Sequence, residues 1–150
     1  MKRYRIPQVK IRMVKEGPSL LSDDPVSDPQ RAVELLQDFM GKLDREEMVA
    51  VMLNSKLQPI SFNIIAVGSI DSCHVPIYNI FKPAILANAT SILIAHNHPS
   101  GDTTPSREDK ELTRHAIEAG NILNIPVLDH IIFGSETGHH SMKANGELPA

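Results

Sequence analysis

Two short runs, Met48-Val-Ala-Val-Met-Leu53 and Ser91-Ile-Leu-Ile-Ala95, hold apolar side chains at almost every position. Such runs are too short for a buried helix and show no polar alternation, so each fits a strand covered on both faces. Strands of that kind belong in a layered domain. The rest of the chain supplies the layers. Ser27-Asp28-Pro29 starts an amphipathic helix over about 30–42, with Val33, Leu35, Leu36, Phe39 and Met40 as its apolar side. Asn54-Ser55 turns the first run into a second strand, Ile60 to Val67, as a hairpin. Residues 75–88 read as a helix despite Pro83, and 107–119 as another that stops at Gly120. Ile125 to Phe133 returns as a strand. The expected fold is α/β or α+β, a single domain with a mixed β-sheet flanked by helices.

Composition narrows the function classes. No apolar run approaches 18 residues and no secretory leader pattern opens the chain, so neither a membrane span nor export is expected, and the default location is cytoplasmic. The lone Cys73 excludes an intrachain disulfide and a thiolate zinc site, and reads as a small hydrophobe. A net charge of -3 gives no global attraction to nucleic acid. Charge is uneven, however. Lys2, Arg3, Arg5, Lys10, Arg12 and Lys15 stand in residues 2–15 without an acid among them, either an edge strand or loose tail in water or an arm that binds phosphates. Residues 17–29 read as linker, which divides the chain into 1–27 and a domain over 28–150.

The second apolar run ends in a polar constellation, Ala95-His-Asn-His98 followed by Pro99 and a loop to Ser106 and Asp109. Residues two apart in a strand share a side, so His96 and His98 approach one ion together if the chain stays extended. Asp109 is the natural third ligand, which leaves one tetrahedral position open to water, the arrangement of catalytic zinc sites. Ser106 and Asp109 also have capping-box spacing, and helix capping is their local alternative. Helical phase favours the ligand. Asp109 shares a side with Leu112, Thr113 and Ala116, opposite Glu108 and Glu111, and an inward carboxylate is costly unless paired or bound to a metal. Asn97 faces the other way and reads as a hydrogen-bonding residue that fixes the loop. A His-x-His pair alone arises by chance in roughly 0.3 of chains with this histidine content, but with Ser and Asp at these spacings the expectation falls to about one or two per thousand.

His96-x-His98, seven residues, then Ser106-x-x-Asp109 resembles the JAMM motif of the MPN-domain metallopeptidases. The longer string AHNHPSGDTTPSREDKELT is similar to the RadC-like bacterial branch of that family, as are LDREEMVAVMLNSK, VGSIDSCHVPIYNIFKPAILANA and AGNILNIPVLDHIIFG. The likeness runs from about Asp28 to about Gly134. It implies an MPN/JAB-like, cytidine-deaminase-like fold, Zn2+ on His96, His98 and Asp109, and Ser106 as a stabiliser of the oxyanion. The family's glutamate falls on Glu46, as general base, with Glu47 as its rival because the strand is apolar on both faces. The resemblance further implies hydrolysis of peptide, isopeptide or related amide bonds in a protein or peptide substrate. Its rivals are a metal-binding interaction module without turnover and, from the family's DNA-repair label, a protein that acts on DNA through the arm at 2–15. The longer relatives carry a helix-hairpin-helix region ahead of this domain, so a stand-alone form is expected. His74-Val-Pro-Ile-Tyr-Asn and Ser141-Met-Lys-Ala-Asn145 depart from the family pattern.

Asp129-His130, in an apolar strand, is either a support for the site or a satisfied core pair. His139-His140 reads as an exposed pair in a polar loop, His115 as surface, and Ser69 as a turn residue or a lining of the site.

Overall fold

The two apolar runs are neighbouring strands in the computed structural model, which describes residues 1–150 other than 18, 21, 23, 69–74, 136, 137 and 150. In chain order the elements are α1 (Pro29–Met40), β1 (Glu47–Leu53), β2 (Pro59–Val67), α2 (Ile77–Leu86), β3 (Ser91–Asn97), α3 (Arg107–Leu123), β4 (Val127–Phe133) and β5 (His139–Ser141). The strands form one sheet in the order β2-β1-β3-β4-β5. It is mixed, because β3 and β4 run parallel while β1 is antiparallel to both β2 and β3, and β5 is antiparallel to β4. The fold is thus the expected α+β layered domain.

Alternation divides each apolar run between two cores. Met48, Ala50, Met52, Ile92 and Ile94 pack with Ile80, Phe81 and Ala84 of α2 and with Leu112 and Ala116 of α3. Val49, Val51, Leu53, Leu93 and Ala95 face the other way, onto Val33, Leu36 and Met40 of α1. Each such large apolar side chain contributes about 1.5 to 3 kcal/mol when fully buried. Helices on both faces therefore explain why the runs Met48–Leu53 and Ile92–Ala95 lack polar positions. Asp28 caps α1 by accepting from Arg31 N at 3.0 Å, and Pro29 fills the first helical turn, where its missing N–H is harmless. Val26, just ahead, is buried in the α1-side core.

Three expectations are corrected. Gly120 does not end α3. The helix continues to Leu123, and Asn124 provides the left-handed cap at φ 59°. Gly120 is a helix-interior residue whose role is close approach, since a Cβ there would lie 2.6 Å from Ile125 O. Residues 2–15 form no strand, and each is exposed, because none pairs with a sheet edge. His139-His140 lie in β5, where pairing with Ile132 and Phe133 of β4 supplies order that a polar sequence did not announce.

Candidate metal centre

β3 delivers the histidines. His98 lies one residue past the strand, yet its N–H still donates to Phe133 O at 2.8 Å, so the extended backbone carries both rings to one side. That side belongs to α2 and α3, since His96 stands opposite Met48, a member of their core. The start of α3 covers it. Asp109 is buried together with Leu112, Thr113 and Ala116, as helical phase required, and its Oδ1 and Oδ2 lie 3.1 Å from His96 Nε2 and 3.2 Å from His98 Nε2. Capping and convergence hold at once. Asp109 Oδ2 accepts from Ser106 N at 2.8 Å, and Ser106 Oγ accepts from Asp109 N at 3.0 Å.

Hydrogen-bond direction then fixes one nitrogen. His98 Nδ1 lies 2.7 Å from Asp102 O, and a carbonyl only accepts, so Nδ1 carries the proton and a neutral His98 turns a bare Nε2 inward. That nitrogen is 2.9 Å from His96 Nε2 and 3.2 Å from a carboxylate oxygen. Two acceptors at such a distance repel unless a proton or metal ion lies between them. Burial pushes the Asp109 carboxyl up, but the bonds to His96 and His98 outweigh it and hold it well below the usual carboxylate range. The same bond to Asp109 raises His98 against the opposing effect of burial.

The strand start of β1 brings a second carboxylate. One ligand atom from each of Glu46, His96 and His98 lies within 4.8 Å of the others, a group able to hold a metal ion. Glu46 is two residues before Met48 and shares its side, whereas Glu47 shares the side of Val49, toward α1. Asn97 secures this turn of the chain. Its Oδ1 accepts from Glu47 N at 2.7 Å and its Nδ2 donates to Arg45 O at 2.9 Å, clamping the backbone on both sides of Glu46. Asn97 thus fixes the start of β1 rather than the loop after β3.

Behind the rings lies a buried polar row. His96 Nδ1 is 2.7 Å from His130 Nε2, His130 Nδ1 is 2.6 Å from Thr113 Oγ1, and Thr113 Oγ1 donates to Asp109 O at 2.6 Å. Complete burial, then the neighbouring His96, pushes His130 well below its ordinary pKa. Asp129 turns away. Its carboxylate accepts from Ser141 Oγ at 2.6 Å, His130 N at 2.7 Å and Lys143 N at 2.9 Å, and burial pushes its carboxyl up despite those bonds. The sequence named Thr113 only as a companion on a buried helix face. Its position four residues after Asp109, polar among apolar neighbours, was the available signal. Away from the site, His140 Nε2 meets Glu147 Oε2 at 2.9 Å and His115 is exposed beside Arg114. Ser69, Cys73 and His74 lie outside the described residues.

Two imidazoles and a carboxylate around a bare nitrogen fit a resident metal ion by their donor chemistry. Among the described residues, no helix is long and apolar enough to cross a membrane. Residues 26–147 match the family model described as RadC-like JAB domain. A UPF0758 protein of Rubrobacter xylanophilus is 47% identical over 123 residues, covering 82% of this chain and 53% of the relative. A UPF0758 protein of Caldanaerobacter subterraneus subsp. tengcongensis is 46% identical over 121 residues, 81% of this chain and 52% of the relative. A third, from Moorella thermoacetica, is 46% identical over 114 residues, 76% and 50%. The chain spans about half the length of the curated relatives it matches.

Proposed function

The chain belongs to the RadC-like JAB domain family, and from that premise we propose that it is a zinc-dependent hydrolase of peptide, isopeptide or related amide bonds. One observation carries the reading: His98 Nε2 faces the Asp109 carboxylate and His96 Nε2 with its own proton committed to Asp102 O on the far side of the ring. Such a site asks for a cation. In this reading His96, His98 and Asp109 hold the zinc and leave one position for water or substrate. Bound there, zinc would supply a Lewis acid and lower the pKa of a water toward about 7.

The chain's own groups do the rest. Glu46, on the same side as the rings, takes a proton from water and returns it to the leaving amine. Ser106 Oγ accepts from Asp109 N and keeps its hydrogen as a donor toward the developing oxyanion. Asn97 keeps Glu46 in place through the backbone of its two neighbours. The substrate is a protein or peptide.

Metal analysis with glutamate variants tests this. The purified protein holds about one zinc per chain, as a site of this donor set requires, and His98→Ala removes most of it. Glu46→Gln keeps zinc and loses hydrolysis of a peptide and isopeptide panel, while Glu47→Gln keeps both. Full zinc in His98→Ala, or an inactive Glu47→Gln beside an active Glu46→Gln, overturns the assignment.

The exposed basic residues of 2–15 favour a second reading, an arm that binds DNA by its phosphates. Its mark is binding that weakens steeply with salt and is lost when those six cations are neutralised.

A further inference from the structure

We propose that Thr113 and His130 act as positioning residues that fix the tautomer of His96, so that its Nε2 reaches the site without a proton. One end of this row is a group that can only accept. Asp109 O lies 2.6 Å from Thr113 Oγ1, the usual back-bond of a helical threonine to the carbonyl four residues earlier, so the hydroxyl hydrogen is committed there. The reverse polarity would bring two oxygens to 2.6 Å with no hydrogen between them. Met142 Sδ, at 3.6 Å from the same hydroxyl, is too weak an acceptor to compete.

Each later bond is then forced. With its hydrogen spent, Thr113 Oγ1 accepts, so His130 Nδ1 at 2.6 Å must donate. A neutral His130 therefore has a bare Nε2, which accepts from His96 Nδ1 at 2.7 Å. His96 in turn presents a bare Nε2 to Asp109 and His98. Neutrality of His130 follows from its place: the ring is fully buried between His96 and Thr113, and the adjacent Asp129 carboxylate is spent on Ser141, Lys143 N and its neighbour's backbone N–H rather than on the ring. Asp102 O does for His98 directly what this three-member row does for His96. Both rings reach the site in the one tautomer that leaves Nε2 bare.

The link to metal affinity rests on the zinc hydrolase reading, whereas the tautomer itself does not. Long-range 1H–15N spectra of the metal-free protein at about pH 8, above the ordinary histidine pKa, should show His96 protonated on Nδ1. Thr113→Val, close to threonine in shape, should give a mixture of tautomers and weaken zinc binding by about 10- to 100-fold, the range for outer partners of metal-binding histidines. Thr113→Ser, which restores the hydroxyl, should recover both. An Nε2-protonated His96 in the wild type overturns the proposal, and so does a Thr113→Val protein with unchanged tautomer and zinc affinity. If Thr113→Val does not fold, the wild-type spectrum alone decides. A wild type that shows the expected tautomer but binds no zinc sinks the hydrolase reading and leaves the relay standing.

Discussion

Asp109 and Asp129 are almost equally hidden, 4% and 2% exposed, and each accepts from a backbone N–H, yet their carboxyls are driven in opposite directions. Burial raises both. Asp109 faces two imidazoles, and the bonds they make to it when a proton lies between ring and carboxylate overcome the cost of burial. Asp129 faces a hydroxyl and two backbone N–H groups, neutral donors that do not overcome it. The first carboxylate is therefore prepared for a cation, while the second ties β4 to the end of β5 and to Lys143 beyond it. Partner chemistry rather than depth sets what a buried acid does.

This contrast breaks most visibly in metal binding. Asp109→Ala removes a proposed ligand, so zinc affinity should fall by more than the roughly 100-fold that marks loss of an outer partner, measured by competition with a chelator. Asp129→Ala should leave zinc content near wild type. Retention of tight binding by Asp109→Ala, or its loss in a fully folded Asp129→Ala, would erase the distinction.

Stability should show the reverse order. Asp129→Ala takes the acceptor from the Ser141 hydroxyl, His130 N and Lys143 N together, a loss of about 3 kcal/mol in urea unfolding of the metal-free protein. Ser106→Ala tests the capping half of Asp109 alone: it removes the acceptor of Asp109 N and should cost about 1 kcal/mol, with zinc retained.

The smallest effect is in pH dependence. Because the Asp129 carboxyl is raised in the folded state, its contribution is fully present below its unfolded pKa of about 3.9 and is lost as pH rises through the raised value. Wild-type stability minus that of Asp129→Asn, which cannot ionise, should accordingly decline from about pH 4 toward neutrality, by about 1.4 kcal/mol for each unit of raising. Asp109, being lowered, has the opposite sign: its contribution is present above the ordinary carboxylate pKa and fades only as pH falls through its low folded value. A difference that grows with pH would show Asp129 to be held as an anion after all.

Much of this was written locally. Runs of apolar residues without alternation marked β1 and β3 as strands with two covered faces, and both proved buried throughout from Met48 to Leu53 and from Ser91 to Asn97. His96 and His98 two apart, and Asp109 in phase with Leu112 and Ala116, placed the histidines on one side and the carboxylate inward because strand and helix periods are properties of the backbone. What lay beyond the sequence were relations between distant segments. The family resemblance favours Glu46, but alternation cannot separate it from Glu47 beside a strand apolar on both sides, and the pairing of Met48 with His96 is what turns Glu46 toward the rings. Gly120 has the composition of a helix end, yet the approach of Ile125 makes it an interior residue and passes the cap to Asn124. Asp129 and His130 are adjacent in the chain and serve different ends, one meeting Ser141 and the other His96, because neighbours in a strand face opposite sides. Periodicity tells a side chain which way to point relative to its own element; which partner waits there depends on register and layer order, and those exist only once the chain has folded.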